Sequence, residues 1–234
     1  MRVLTALGAA LDVLLPPTCA GCGLPGDAVC AACAARLVPI SPPGCGRCGH
    51  PWPIPVARCP ECPAPIDVAR QAVGYGDPAP AIVAALKDGR RRSLAVEIAA
   101  TMAARIPRPP PRVALVPVPL APAREAERGF NQAALIAREL GRLWELPVVE
   151  VLARVREAPA QRGSSVTERR AQVRGAFAPV APSVMPPAVC IVDDVHTTGA
   201  TLAACARALR SGGAARVGAV AFARVIVGSP RATI

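Results

Sequence analysis

Two constellations in the sequence hold residues that can do chemistry. The first is AVCIVDDVHTTGATL at 188–202, where an apolar run ending in Val192 delivers Asp193 and Asp194 side by side, followed by Thr197, Thr198, Gly199, Ala200 and Thr201. Adjacent carboxylates suit hydroxyl groups, such as the vicinal pair of a ribose, and a nearby cation. Threonine hydroxyls, the free N–H groups of a starting helix and its dipole suit a phosphate dianion instead. Gly199 lets the backbone approach that dianion closely. A ligand with a sugar at one end and its 5′-phosphate at the other would therefore span the stretch. A plain helix cap needs only one Asp or Thr, so the doubled acids and repeated threonines call for more than a cap. His196, between the acids and the threonines, is expected as a solvent-facing loop residue, with a catalytic role as the alternative. Cys190 and Cys205 are expected as small buried apolar residues, not ligands.

The second constellation is four CxxC pairs within residues 19–62: Cys19/Cys22, Cys30/Cys33, Cys45/Cys48 and Cys59/Cys62. A two-residue spacer turns both thiolates into one knuckle, and two knuckles complete a tetrahedral Zn²⁺ shell. Eight thiolates imply two structural zincs. A disulfide framework would need an oxidising compartment, and a redox CxxC normally stands singly at a helix start; iron in a rubredoxin-like site stays open. Sequential pairing, one with two and three with four, gives the shorter loops and is expected, with an interleaved arrangement as the alternative. His50 is read as a knuckle side chain, since four complete pairs leave it no vacancy.

Charge narrows the partners. The formal net charge is +11, carried almost wholly by arginine because Lys87 is the only lysine. Such an excess favours phosphate-bearing partners over neutral ones. It is unevenly placed: residues 1–66 carry four basic and three acidic side chains, residues 67–234 carry 23 and 13. The basic surface thus lies away from the cysteine module, the reverse of a zinc-finger DNA reader. No stretch reads as membrane-spanning. The N-terminal RVLTALGAALDVLL is expected as an amphipathic helix packed on the protein and not as a signal peptide, because Asp12 interrupts its apolar run and no cleavage site follows; the chain is accordingly expected to be cytoplasmic.

Something must position these residues. Residues 1–66 are expected to form a small helix-plus-ribbon module that needs metal to fold. From 67 to 234 the pattern alternates: strands are expected at 69–75, 112–119, 146–152, 188–192 and 215–222, with helices at 80–87, 93–106, 131–145 and 199–213. Strand and helix in alternation predict an α/β domain, a mostly parallel sheet flanked by helices on both faces. Ligands of such sheets bind where strand C-termini meet helix N-termini, which is where 193–201 would lie.

VCIVDDVHTTGAT resembles, over its full length, the phosphoribosyl-pyrophosphate (PRPP) binding motif of type I phosphoribosyltransferases. With LKDG (86–89), VPVPL (116–120), RGFNQ (128–132), QRGSSVTERRAQVRGAF (161–177) and the CxxC pairs, the chain resembles the ComF family of bacterial competence-associated proteins. The resemblance implies a type I phosphoribosyltransferase fold behind a zinc-ribbon-like module. It implies that Asp193 and Asp194 hold the ribose, residues 197–201 the 5′-phosphate, and Mg²⁺ the pyrophosphate. It places pyrophosphate contacts at Pro117, Val118, Pro119, Arg124 and Arg128, and a closing loop around Gln161, Arg162, Arg169 and Arg170. Lys87, Gly129, Phe130, Asn131 and Gln132 are its remaining motif residues. Three functions follow from it: a phosphoribosyltransferase, a nucleotide or PRPP sensor without turnover, or an adaptor that handles single-stranded DNA with competence-machinery proteins.

Overall fold

The computed structural model describes residues 17–156, 175–181 and 184–226. The expected N-terminal helix, and Gln161, Arg162, Arg169 and Arg170 of the expected closing loop, lie outside the described residues. In chain order the elements are α1 (Ala31–Arg36), β1 (Val68–Gly74), α2 (Ala79–Lys87), α3 (Leu94–Arg105), β2 (Ala114–Pro117), α4 (Pro122–Arg128), α5 (Gln132–Trp144), β3 (Leu152–Arg154), β4 (Phe177–Pro179), β5 (Ala188–His196), α6 (Ala200–Ser211) and β6 (Arg216–Arg224).

Four strands form one sheet in the order β1-β6-β5-β2, every neighbouring pair parallel. The central pair, β5 and β6, is buried along nearly its whole length, as parallel strands covered on both faces must be. Alternation along β5 sorts its side chains. Cys190 and Val192 join Ile82, Leu86, Ile98, Met102, Ile136 and Leu140 of α2, α3 and α5. Val189 and Ile191 join Leu202, Cys205 and Leu209 of α6, Leu152 of β3, Phe177 of β4 and Cys45, Cys48 and Cys59 of the cysteine module. One face of the sheet is thus closed by helices, the other by a helix, the β3–β4 pair and the module together.

The module also seals a sheet edge. β1 is the outer strand next to β6, and its free backbone groups would template pairing with another chain. Here the Ala69 N–H donates to the Arg47 carbonyl at 2.8 Å and the Gly74 N–H to the Val38 carbonyl at 2.9 Å. Arg70 donates from its guanidinium to the carbonyls of Gly46 and Arg47 at 2.7 and 3.1 Å.

Some expectations shift. The strand expected over 146–152 reduces to a single bridge, Val148 with Leu115, before β3 begins; Pro147 has no N–H with which to extend the ladder. The expected strand 112–119 shortens to β2, bounded by Pro117 and Pro119. β5 instead runs four residues past its expected end, to His196. α4 was not expected because it buries no residue and so has no apolar period, although Pro122 starts it and Gly129, at φ 80°, stops it.

α5 starts on a full side-chain cap. The Asn131 Oδ1 accepts from the N–H groups of Ala133 and Ala134 at 2.9 and 3.3 Å, while its Nδ2 donates to the Val118 carbonyl at 3.0 Å. One side chain thereby holds the helix and the loop after β2 together. Asn131→Ala should cost about 1–2 kcal/mol in denaturant unfolding, the upper end of cap losses, because the loop contact goes with the cap.

Candidate functional site

The acids sit inside the sheet. The expectation that Asp193 and Asp194 emerge beyond the strand is corrected: both belong to β5, with Asp193 opposite Ala221 of β6, and both are buried. Adjacent positions on a strand start toward opposite faces, yet the two carboxyl groups stay close enough to interact: Asp193 Oδ1 accepts from the Asp194 N–H at 2.9 Å and Asp194 Oδ1 from the Val195 N–H at 2.8 Å. Asp194 points to the face of α2 and forms an ion pair through Oδ2 with the Nζ of Lys87, the last residue of that helix. Asp193 points toward α6, where its charge acts on the Cys205 thiol. Burial, and then the neighbouring Asp194, push the Asp193 carboxyl well above the usual carboxylate range, with Lys87 opposing. Cys190 and Cys205 are fully buried with their thiols pushed up by burial, Cys190 to about 12, which suits the apolar role expected of them.

Past His196 the chain turns through Thr197, Thr198 and Gly199 into α6. Gly199 takes φ 71° as the residue before the helix, a conformation glycine adopts at little cost. It is also confined: a Cβ there would stand 2.8 Å from His196 Nε2 and 3.0 Å from Pro63 Cβ. The Thr198 Oγ1 accepts from the Ala200 N–H at 3.4 Å. The turn therefore brings backbone N–H groups, hydroxyls and the positive end of α6 next to the end of β5.

His196 departs from expectation. It is the last residue of β5 and is buried, not a solvent-facing loop side chain. Burial, then Arg224, then His50, lower its pKa from 6.5 to about 3. Between pH 6.5 and that value the unfolded chain takes up a proton that the folded chain refuses, so stability falls as the pH drops. Denaturant titrations at pH 7 and pH 5 should show a loss smaller by about 2 kcal/mol in His196→Gln than in the parent, the pH-dependence of His50 being common to both.

Near the acids, the loop after α2 is tied to the end of α4. Asp88 and Arg128 approach at 3.6 Å. Arg90 donates to the Glu127 carbonyl at 2.7 Å and Arg92 to the Gly129 carbonyl at 2.7 Å. The Arg92 guanidinium also lies 4.9 Å over the Phe130 ring, and Arg128 donates to Gln132 Oε1 at 2.6 Å. Gly129, Phe130, Asn131 and Gln132 are thus one contact network with Val118, Arg128 and the loop that follows Lys87, bordering the site. Arg124 stands exposed on α4, and Pro117 to Pro119 follow the end of β2. The guanidinium of Arg154 on β3 lies 5.6 Å over the Phe177 ring of β4.

The cysteines form two separate sets. The Sγ atoms of Cys19, Cys22, Cys30 and Cys33 all lie within 4.8 Å of one another, as do those of Cys45, Cys48, Cys59 and Cys62. The pairing is sequential, and the interleaved alternative is out. Four converging sulfurs fit a tetrahedral thiolate site for one structural Zn²⁺ each. In the second set burial pushes thiols up, Cys62 to about 11. The Cys45 thiol is held down at about 6, because backbone N–H groups and the Cys62 thiol outweigh its burial. A cavity of about 230 Å³ lies between this second set and the turn before α6, lined by Pro60, Cys62, Pro63 and Ala64 on one side and Thr198, Gly199, Ala200, Ala203 and Arg207 on the other.

Sequence reasoning missed Gln71 and Arg224, buried beside His196, and did not foresee the Lys87–Asp194 pair. A signal for the latter existed: a chain that otherwise uses arginine keeps one lysine, the compact ammonium. No helix among the described residues is long and apolar enough to cross a membrane.

Comparison with known proteins agrees with both halves. Residues 10–63 match the family described as the double zinc ribbon domain, and residues 121–231 the phosphoribosyl transferase domain. The chain is 34% identical over 170 residues to the DNA utilization protein YhgH of Salmonella typhi, covering 68% of this chain and 73% of that one. It is 37% identical over 114 residues to Competence protein F of Haemophilus influenzae, covering 47% of this chain and 50% of the relative, so the match spans half that protein's length. Competence protein ComFC of Bacillus subtilis is 38% identical over 101 residues, covering 43% of this chain and 40% of the relative. Two four-cysteine sets packed against a parallel sheet whose β5–α6 junction bears the acids and the small-residue turn, together with these relatives, place the chain in the ComF family, with an N-terminal double zinc ribbon and a phosphoribosyltransferase domain.

Proposed function

We propose that the chain binds PRPP or a related ribose 5-phosphate ligand at the β5–α6 junction. The observation that carries this reading is the junction itself: two buried acids on β5, a Gly199 turn at φ 71°, and the N-terminus of α6 directly after it. Asp193 and Asp194 hold the ribose hydroxyls. The N–H groups and hydroxyls of Thr197, Thr198, Gly199, Ala200 and Thr201 hold the 5′-phosphate. α4, which follows β2 and carries Arg124 and Arg128, faces the pyrophosphate, with Gln161, Arg162, Arg169 and Arg170 as further contacts for it. Mg²⁺, arriving with the pyrophosphate, would neutralise its charge while taking few ligands from the protein. Lys87 serves as the internal counter-ion of Asp194 and releases it to a hydroxyl when the ligand enters. If a nitrogen nucleophile attacks the ribose, the chain is a phosphoribosyltransferase, with Asp193 and Asp194 as its catalytic acids; without an acceptor, the same pocket acts as a sensor.

In the cell this activity would serve the handling of DNA, in line with the relatives' names, competence protein and DNA utilization protein. The net charge of +11 favours contact with single-stranded DNA through its backbone. Such binding should weaken by an order of magnitude or more between about 50 and 200 mM salt. Titration calorimetry of PRPP with Mg²⁺ into the zinc-loaded chain tests the primary reading. Saturable one-to-one heat supports it, and pyrophosphate release on addition of bases would extend it to catalysis. Absence of binding by the folded chain, together with salt-sensitive DNA binding, would move the function to the adaptor role.

A further inference from the structure

Under the phosphate turn lies a polar cluster that the ribose and phosphate contacts do not use. His50, Gln71, His196 and Arg224 are all buried, brought together from the second ribbon, β1, β5 and β6. The Arg224 Nη1 donates to the Cys48 carbonyl at 2.9 Å and to the Gln71 Oε1 at 3.3 Å. With its oxygen so engaged, the Gln71 amide turns its Nε2 outward, and that nitrogen meets the His196 Nδ1 at 3.0 Å. An amide nitrogen only donates, so Nδ1 must accept, and a neutral imidazole whose Nδ1 accepts carries its proton on Nε2. That Nε2 is buried and has no partner among the described residues. It lies 2.8 Å from the position a Gly199 Cβ would occupy, directly against the turn that approaches the phosphate.

The fixed orientation begins at the metal module. No carboxylate among the described residues pairs with Arg224, although its guanidinium is almost wholly buried. Four thiolates around one Zn²⁺ leave a net negative charge on the second ribbon, and Arg224 reaches the backbone of one of its ligands, Cys48. The order of dependence therefore runs from ribbon to Arg224, to Gln71, to the imidazole, to the Gly199 turn. A buried N–H without a partner is costly, and a ligand oxygen at the turn removes that cost.

We propose that His196 is a positioning residue of the phosphate turn, a neutral imidazole locked by Gln71 and Arg224 with its proton on Nε2, so that this N–H meets an oxygen of the bound 5′-phosphate. The proposal rests on the ribose 5-phosphate reading of the site and deepens it. It gives a physical reason for histidine at this position, since a charged or freely rotating donor would not hold one direction. It also gives Gly199 a second requirement besides its φ, because any side chain there would collide with the imidazole.

The chain contains two histidines, His50 and His196, so imidazole ¹⁵N NMR of the full zinc-loaded protein can be assigned with one substitution. At pH 7, His196 is expected to show a protonated Nε2 and an unprotonated Nδ1, and Gln71→Leu is expected to give mixed tautomers. Saturating ribose 5-phosphate should shift the His196 Nε2 resonance. His196→Leu should bind the probe about tenfold more weakly in calorimetry, the loss of one hydrogen bond to a charged group. His196→Gln, whose amide nitrogen reaches the place of Nε2, should recover most of that affinity, which a purely structural role would not require. A proton on Nδ1, or an Nε2 resonance unmoved while calorimetry shows the parent saturated, would overturn the proposal. Failure of the parent to bind ribose 5-phosphate at all would instead overturn the reading of the site, and the ligand role of His196 with it.

Discussion

Cys59→Ser is expected to strip the second metal site and to unfold a good part of the chain with it. Cys59 is 4% exposed and belongs to the same buried cluster as Ile66 and Ala69 at the start of the sheet and Leu202 and Leu209 on α6. Zinc binding to a structural thiolate site contributes about 10–16 kcal/mol, comparable to the whole stability of a domain, about 5–15 kcal/mol. The ribbon that this metal holds also covers the edge of β1 through Arg47 and Gly46, so its loss exposes backbone groups of the sheet. The expected result is one zinc per chain in place of two, with a midpoint of thermal unfolding lower by more than about 10 °C. Cys22→Ser should also lose one zinc, but with a smaller thermal penalty, because Cys22 is exposed and belongs to neither buried cluster. Two zincs retained by Cys59→Ser, with unchanged melting, would contradict the assignment of that site.

The parts of this architecture that could be read from sequence are those with a local signature. CxxC spacing announces a knuckle whatever surrounds it, and sequential pairing follows from loop length, which is why the two sets were legible. The long helices were legible because apolar residues recur four apart in each, Ile82 and Leu86, Leu94 and Ile98, Ile136 and Leu140, and β5 because AVCIV is an unbroken apolar run. The end of β5 was not. Two acids and a histidine look like a loop by composition, yet the ladder to β6 continues through them to His196 opposite Arg224, since pairing with a neighbouring strand overrides local propensity. The same reason hid the cluster beneath the turn. Gln71, His196 and Arg224 come from three strands, and nothing local marks a glutamine in β1 as the partner of a residue 125 positions later. Lys87 and Asp194 meet only because α2 packs on the face to which alternate residues of β5 point.

Asp193→Asn is expected to make the ligand-free protein more stable while weakening its ligand. The folded chain holds the Asp193 proton well above the usual carboxylate range because of burial and Asp194. The unfolded chain gives that proton up near pH 4. Stability is therefore fully present below the unfolded value and is lost as the pH rises toward the folded one. At pH 7–8 the asparagine variant escapes this loss, and its thermal midpoint should exceed the parent's by a few degrees, with a flatter dependence on pH from 5 to 8. A midpoint below the parent's throughout that range would show that the Asp193 carboxylate gains more from Lys87 and the Asp194 N–H than it loses by burial, and would contradict this account. Stability given up at a buried acid is the expected mark of a functional position.

The most direct test compares the parent with Asp193→Asn/Asp194→Asn in titration calorimetry with PRPP and Mg²⁺ at about 150 mM salt. A basic chain can attract a polyphosphate anywhere on its surface, so binding alone is not enough. The site at the β5–α6 junction predicts one-to-one binding by the parent and a loss of at least about 100-fold in the variant, the size of two charge-assisted hydrogen bonds to ribose hydroxyls. Equal affinity of the two proteins, with both folded and both holding two zincs, would mean that the acids do not grip a sugar and that the phosphates are held elsewhere by the arginines.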